Sequence, residues 1–238
     1  MHIPDGFIDA PTSIGAAAAS VGGLAVGLRR SAEVLEDKLA PMAGLVAAYV
    51  FAVQMLNFPV AGGTSGHLLG GALAAVLVGP WVGSLCIAVV LAVQALLFAD
   101  GGISALGLNV FNMAIVGVFA GYGLFLLARR VLPATRAGVT GAAGVAALGS
   151  VVLASLAFAL EYAIDGSGGA STGRVFAAMG GVHVLIGIGE ALITAMTVSA
   201  VVAVRPDLVH GAADLVPAPV IDRADRADRA DVQVGGVA

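Results

Sequence analysis

Apolar residues run along this chain in long blocks, broken by short stretches rich in glycine, proline or charge. Seven blocks read as helices, at about 10–28, 39–57, 66–79, 81–99, 108–128, 138–160 and 178–204. Most reach 18 residues or more, enough to cross a hydrocarbon layer of roughly 30 Å. The third holds only some 14 residues and follows "PVAGGTSGH", so it is expected to re-enter or start late instead of crossing plainly. Pro80 and Trp81 mark a tight turn between the third and fourth blocks. The pattern predicts an all-α integral membrane protein, a bundle of about seven transmembrane helices.

Polar residues inside the blocks are unevenly placed. Gln54 and Asn57 end the second, Gln94 lies late in the fourth, and Asn109 and Asn112 begin the fifth. Glu161 ends the sixth, His183 opens the seventh, and only Glu190 sits nearer mid-block. Taken with alternating helix directions, these positions gather at one end of the bundle. Polar groups in hydrocarbon are costly and face a bundle interior or cavity, so a single polar pocket opening to one side is expected.

Composition agrees with the membrane reading and charge adds orientation. The chain is 59% hydrophobic and 11% charged, against about 25% charged in soluble domains. With the N-terminus outside, the inner segments are 29–38, 79–81, 129–137 and everything after 204. They hold every Lys and Arg except Arg174, which satisfies the positive-inside rule and puts the C-terminus inside. Residues 1–28 contain no Lys or Arg, unlike a signal peptide, so the terminus is expected to be exported uncleaved. A single cysteine, Cys86, excludes an intrachain disulfide.

The opening "MHIPDGFID" then acquires chemistry. A terminal amine, the next backbone amide and a histidine Nδ1 at position two can chelate one ion, closing a five- and a six-membered ring. Three nitrogens nearly in a plane suit metals tolerating square-planar or tetragonal coordination, such as Ni²⁺ or Cu²⁺. His67, on the glycine-rich loop at the same end, can supply a fourth. Pro4 holds Ile3 extended, and "PDG" reads as a turn that aims the terminus back into the bundle. Thr64, Ser65, Gln94, Asn109 and Asn112 are candidates to orient the imidazoles; each could equally be an interhelical hydrogen bond. His183 reads as a supporting or packing residue more than a ligand, and His210 as a solvated group on the opposite side.

"MHIPDGFID", "NFPVAGGTSGHLLGGALAAVLVGPW", "VQALLFADGGISALGLNVFNMAIVG" and "HVLIGIGEALIT" resemble the CbiM/NikM family, the cobalt/nickel substrate-capture components of energy-coupling factor transporters, and most resemble CbiM. The resemblance covers residues 1 to about 204. It implies a seven-helix bundle whose N-terminus inserts into the substrate site, with metal held by the Met1 amine, the His2 amide and imidazole, and His67. It also implies a prokaryotic cell membrane location, with uptake supplying cobalamin biosynthesis. The implied partners are a second membrane subunit (the T component), two cytoplasmic ATPases and a small CbiN-like accessory subunit. The substrate is Co²⁺ or, in the nickel branch, Ni²⁺; no cofactor is implied, and no nucleic acid.

The residues themselves bound the alternatives. No G-x-x-x-x-G-K-[ST] motif is present and Lys38 is the only lysine, so any ATP-driven step belongs to a partner. A secondary transporter would carry ionisable residues in both membrane halves and an internal repeat. An intramembrane enzyme would need an activated nucleophile or an open metal position. Neither pattern is present. The chain therefore divides into a membrane-embedded metal-capture domain, 1–204, and a cytoplasmic tail, 205–238. The tail repeat "DRADRADRAD" matches no helical stripe and reads as disordered.

Overall fold

The computed structural model describes residues 1–34, 39–59 and 65–216. The elements in chain order are helices α1 (Ala10–Val34) and α2 (Leu39–Gln54), strands β1 (Asn57–Pro59) and β2 (Ser65–His67), then helices α3 (Gly71–Val78) and α4 (Pro80–Leu97). Next come α5 (Leu106–Val110), α6 (Val118–Val131), α7 (Arg136–Asp165) and α8 (Thr172–Val204). A π-helical segment, Phe111–Gly117, joins α5 to α6 in one rod. Two 3₁₀ turns, Pro206–Leu208 and His210–Leu215, follow α8.

Among the described residues, five helices are long and apolar enough to span a membrane: Ala10–Glu33, Pro80–Leu97, Leu106–Val131, Arg136–Asp165 and Thr172–Val204. α2 is apolar but shorter, and α3 has only eight residues, about 12 Å of helix. With those two, the apolar blocks of the sequence are all accounted for. The chain is a multi-pass membrane protein. Large apolar side chains stay exposed along the outer helix faces, among them Leu28, Leu45, Leu185, Leu192 and Val204, as lipid contact requires.

The short third segment is the centre of the bundle: every residue of α3 is buried. Small residues let its neighbours close on it. A Cβ at Gly83 of α4 would lie 3.0 Å from the Ala74 carbonyl carbon, and one at Gly121 of α6 would lie 3.0 Å from the Ala72 Cβ. The pairs Gly66-x-x-x-Gly70 and Gly117-x-x-x-Gly121 therefore include real close-packing positions. Between α2 and α3 the described residues form an antiparallel pair, Asn57 opposite His67 and Phe58 opposite Gly66, which puts His67 on a strand and not on a free loop.

Several boundaries differ from the expected ones: α1 continues to Val34 instead of ending near 28, and the third block, expected from 66, opens as strand β2 with α3 starting only at Gly71. α8 begins at Thr172, not near 178, because its first two turns extend beyond the apolar window. Residues 206–215, placed by composition in a disordered tail, form packed turns. Val209 and Ala212 are buried, Arg129 pairs with Asp214, and Tyr122 Oη lies 3.0 Å from His210 Nε2. Residues 217–238, with the charged repeat, lie outside the described residues.

Candidate metal-capture site

The first residues are threaded into the bundle. Met1 is 1% exposed, His2 4% and Ile3 0%. The Ile3 amide donates to Asn109 Oδ1 at 2.8 Å, and Asn109 Nδ2 donates back to the Ile3 carbonyl at 3.3 Å. The Gly102 amide donates to that same carbonyl at 2.9 Å. These bonds fix the main chain one residue beyond His2. Further along, Asp5 accepts from the Ser104 amide at 2.8 Å and from its hydroxyl, which holds its carboxyl below the usual range. The turn at "PDG" closes with the Phe7 amide on the Pro4 carbonyl at 3.4 Å, Gly6 taking φ 72°. Asp9 then caps α1 through the Thr12 amide at 3.1 Å.

His67 meets this arm from the other side. The imidazoles of His2 and His67 stack with centroids 4.5 Å apart and planes at 29°. His67 Nδ1 lies 2.8 Å from the Leu68 carbonyl. A carbonyl can only accept, so Nδ1 carries the proton and Nε2 is a bare lone pair. That Nε2 is buried without a hydrogen-bond partner among the described residues. His183 is arranged the same way, Nδ1 at 2.8 Å from the Met179 carbonyl and Nε2 unpartnered among the described residues. An unmet buried lone pair is costly, and each of these two imidazoles carries one.

Burial sets the charge state of the arm and of β2, which lie outside the spanning helices. Desolvation holds the Met1 amine well below its ordinary pKa, partly offset by Asp100 and Glu190. Burial, reinforced by the amine's charge, pushes His2 down to about 3 and lowers His67 as well. All three shifts favour the neutral form that a metal requires.

The segment after His67 is held by polar side chains in the helices. Glu190 on α8 accepts from the Leu69 and Gly70 amides, the second at 2.9 Å. Gln54 donates to the Leu69 carbonyl at 2.6 Å. Gly70, at φ 72°, turns the chain into α3. A cleft of about 370 Å³, lined by His2, Pro4, Asp5, Ala99, Asp100, Gly101 and Gly102, opens onto the arm. A Cβ at Gly101 would stand 2.8 Å from His2 Nδ1, so the missing side chain keeps that nitrogen clear. Among the described residues, no three His, Cys, Asp or Glu side chains are grouped to hold a metal. Two imidazoles and the main-chain nitrogens of the terminus are what converge here.

Comparison with known proteins is consistent with this arrangement. Residues 2–208 match the family model described as cobalt uptake substrate-specific transmembrane region, CbiM. The chain belongs to the CbiM family. An Archaeoglobus fulgidus relative named as a fused nickel transport protein, NikMN, is 42% identical over 88% of this chain and 68% of its own. A Haloquadratum walsbyi relative named as a metal transport protein is 43% identical over 88% and 93%. A crystal structure of a transition metal transporter superposes with TM-score 0.80 at 32% identity, covering 86% of this chain and 93% of that one. The chain is a membrane component of cobalt/nickel uptake.

Within this CbiM fold, the expected residues divide. Met1, His2, His67 and, through Ile3, Asn109 come together, with His183 close enough to be felt electrostatically. Asn112 is directed elsewhere: its Nδ2 donates to Glu161 on α7 at 2.7 Å. Gln94 is fully buried with neither amide atom hydrogen-bonded, and contributes by its backbone carbonyl, which accepts from Asp100 at 3.0 Å. Ser65 is placed on β2 by its backbone, and Thr64 lies outside the described residues. Sequence reasoning gave no role to Glu190, Asp100, Gly101 or Gly102. Two of them left a signal, Asp100 as a polar residue at the outer end and Glu190 as a lone carboxylate near mid-span.

Proposed function

We propose that this chain is the substrate-capture subunit of an ATP-driven importer of the energy-coupling-factor type. It takes Co²⁺ from outside, or Ni²⁺ in the alternative reading, through the Met1 amine, the His2 amide and imidazole, and His67. The observation that carries the reading is the burial of the chain's first residues beside His67, whose Nε2 is bare. The N-terminal end of the bundle faces outward, where the cleft over His2 admits the ion. The ion sheds its hydration shell as the stacked rings turn to present Nδ1 of His2 and Nε2 of His67. A membrane T component and two cytoplasmic ATPases supply the driving force, and a small CbiN-like subunit completes the assembly. The family description names cobalt and the Archaeoglobus relative's name nickel; a nearly planar four-nitrogen set accommodates both.

Proton counting tests this directly. Burial lowers the amine and both imidazoles, which favours their neutral forms and leaves the His2 amide proton as the main one to be displaced. About one proton per ion is therefore expected at neutral pH, whereas the same terminus exposed to water, with its amine pKa near 8, would release about two. Affinity should rise roughly tenfold per pH unit, since each bound ion displaces one proton. Calorimetric titration of the purified chain in two buffers of different ionisation enthalpy reads the count. Release of two protons, or none, would contradict a buried neutral terminus with a metallated amide.

A further inference from the structure

Asp100 is the one carboxylate at the mouth of this site with no share in holding the arm. Asp5, its neighbour in the cleft, is engaged by both donors of Ser104. Asp100 is 19% exposed, and its Oδ2 accepts from Asn57 Nδ2 at 3.1 Å. That bond ties the α4–α5 connection to β1, whose Asn57 stands opposite His67 in the strand register. The same Oδ2 lies 3.6 Å from Nε2 of His2. Nε2 is buried and has no hydrogen-bond partner, so a donor and an acceptor face each other slightly beyond bonding distance.

Resting on the capture reading above, we infer that Asp100 is a positioning residue of the metal site, which accepts the Nε2 proton of His2 and so directs the bare Nδ1 at the ion. The chemistry is that of a carboxylate–histidine–metal relay. An imidazole coordinating through one nitrogen donates the other N–H to a carboxylate, which fixes tautomer and ring orientation and makes the ligating nitrogen more basic. Asn57 orients the carboxylate in turn, and turning the His2 ring out of its stack with His67 is the movement that closes the remaining gap. The carboxylate also stands near the terminal amine. There it offsets the net positive charge left when a divalent ion has displaced one amide proton. Gly101 adjoins Asp100 in sequence, so the residue that anchors Nε2 and the gap that clears Nδ1 belong to one turn of chain.

The test uses the full chain with its native terminus in detergent, Asp100→Asn, Asp5→Asn and Asn57→Ala variants, and Ni²⁺ and Co²⁺ as the added metals. Asp100→Asn keeps size and shape but, as an amide, is a weaker acceptor and carries no charge. Its affinity should fall ten- to a hundredfold, and the ligand-field absorption of the Ni²⁺-loaded protein should shift as the imidazole becomes a weaker donor. Asn57→Ala, which leaves the carboxylate in place but unoriented, should move both readouts in the same direction by less. Asp5→Asn, which loosens the arm at Ser104 without touching His2, should weaken binding and leave the absorption band where it is, so that the band and not the affinity alone reads the role of Asp100. Wild-type affinity in Asp100→Asn, or weaker binding with an unshifted band, would overturn the inference. Failure of the unaltered protein to bind either metal would instead refute the capture reading on which it rests.

Discussion

Replacing His67 with alanine is expected to abolish metal capture. In the proposed ligand set, the substitution removes the one nitrogen supplied from outside the N-terminal arm. His67 is fully buried, and none of the other described side chains is placed to take the vacated position. Affinity should fall at least about a thousandfold, equivalent to ~4 kcal/mol. His2→Ala should be as severe, because it takes away both the imidazole and the six-membered chelate ring. Both variants should still fold: beyond their mutual stacking the rings are tied to other segments only by the 3.6 Å approach of His2 to Asp100, and the arm stays clamped at Ile3 by Asn109 and Gly102. Equilibrium binding of Co²⁺ and Ni²⁺ to purified variants, with thermal melting of the metal-free protein as the folding control, separates lost ligands from lost structure. Full binding by either variant would remove that residue from the coordination sphere.

The second large effect is expected at a residue that never touches the metal. A Cβ at Gly102 would collide with the main chain of Pro4 and Asp5, and two backbones cannot both give way while the Gly102 amide keeps its 2.9 Å bond to the Ile3 carbonyl. Gly102→Ala should push the arm outward and carry Met1 and His2 with it. Coordination is sensitive to displacements of a few tenths of an ångström, so affinity should drop by tenfold or more. The helices below have no stake in this contact, and melting should change little. Gly102→Ala with native affinity would mean that the arm is not held in its buried position when metal binds.

Much of this organisation was legible in the sequence. The apolar blocks gave the helices because hydrocarbon leaves the chain few other ways to satisfy its backbone. The chemistry of "MHIPDGFID" was local, with three nitrogens within two residues, and needed no fold to be read. His67 entered through its place at the polar end of the bundle. Other parts depend on contacts between distant segments. Glu190 grips the Leu69 and Gly70 amides from 120 residues away, and nothing in its neighbours on α8 announces that partner. Asn112 and Gln94 fitted the polar-pocket pattern as well as Asn109 did. One turned to Glu161 and another stayed unbonded, because a single turn of helix decides which way an amide faces. The packing of residues 206–215 against α3 and α6 was equally hidden, since their short mix of apolar and charged residues describes a tail and a docked turn alike.

The account stands or falls on the terminal amine. The decisive measurement is titration of Co²⁺ and Ni²⁺ into the purified protein with its native terminus, beside the same chain carrying one extra residue ahead of Met1. The added residue turns the amine into an amide and extends a segment already 99% buried at Met1. The native form should bind and the extended form should not, and the ratio of the two native affinities would show which metal the site prefers. Equal binding by both forms would take the N-terminus out of the coordination sphere and leave His67 and His183, with their bare Nε2 atoms, as the remaining ligands.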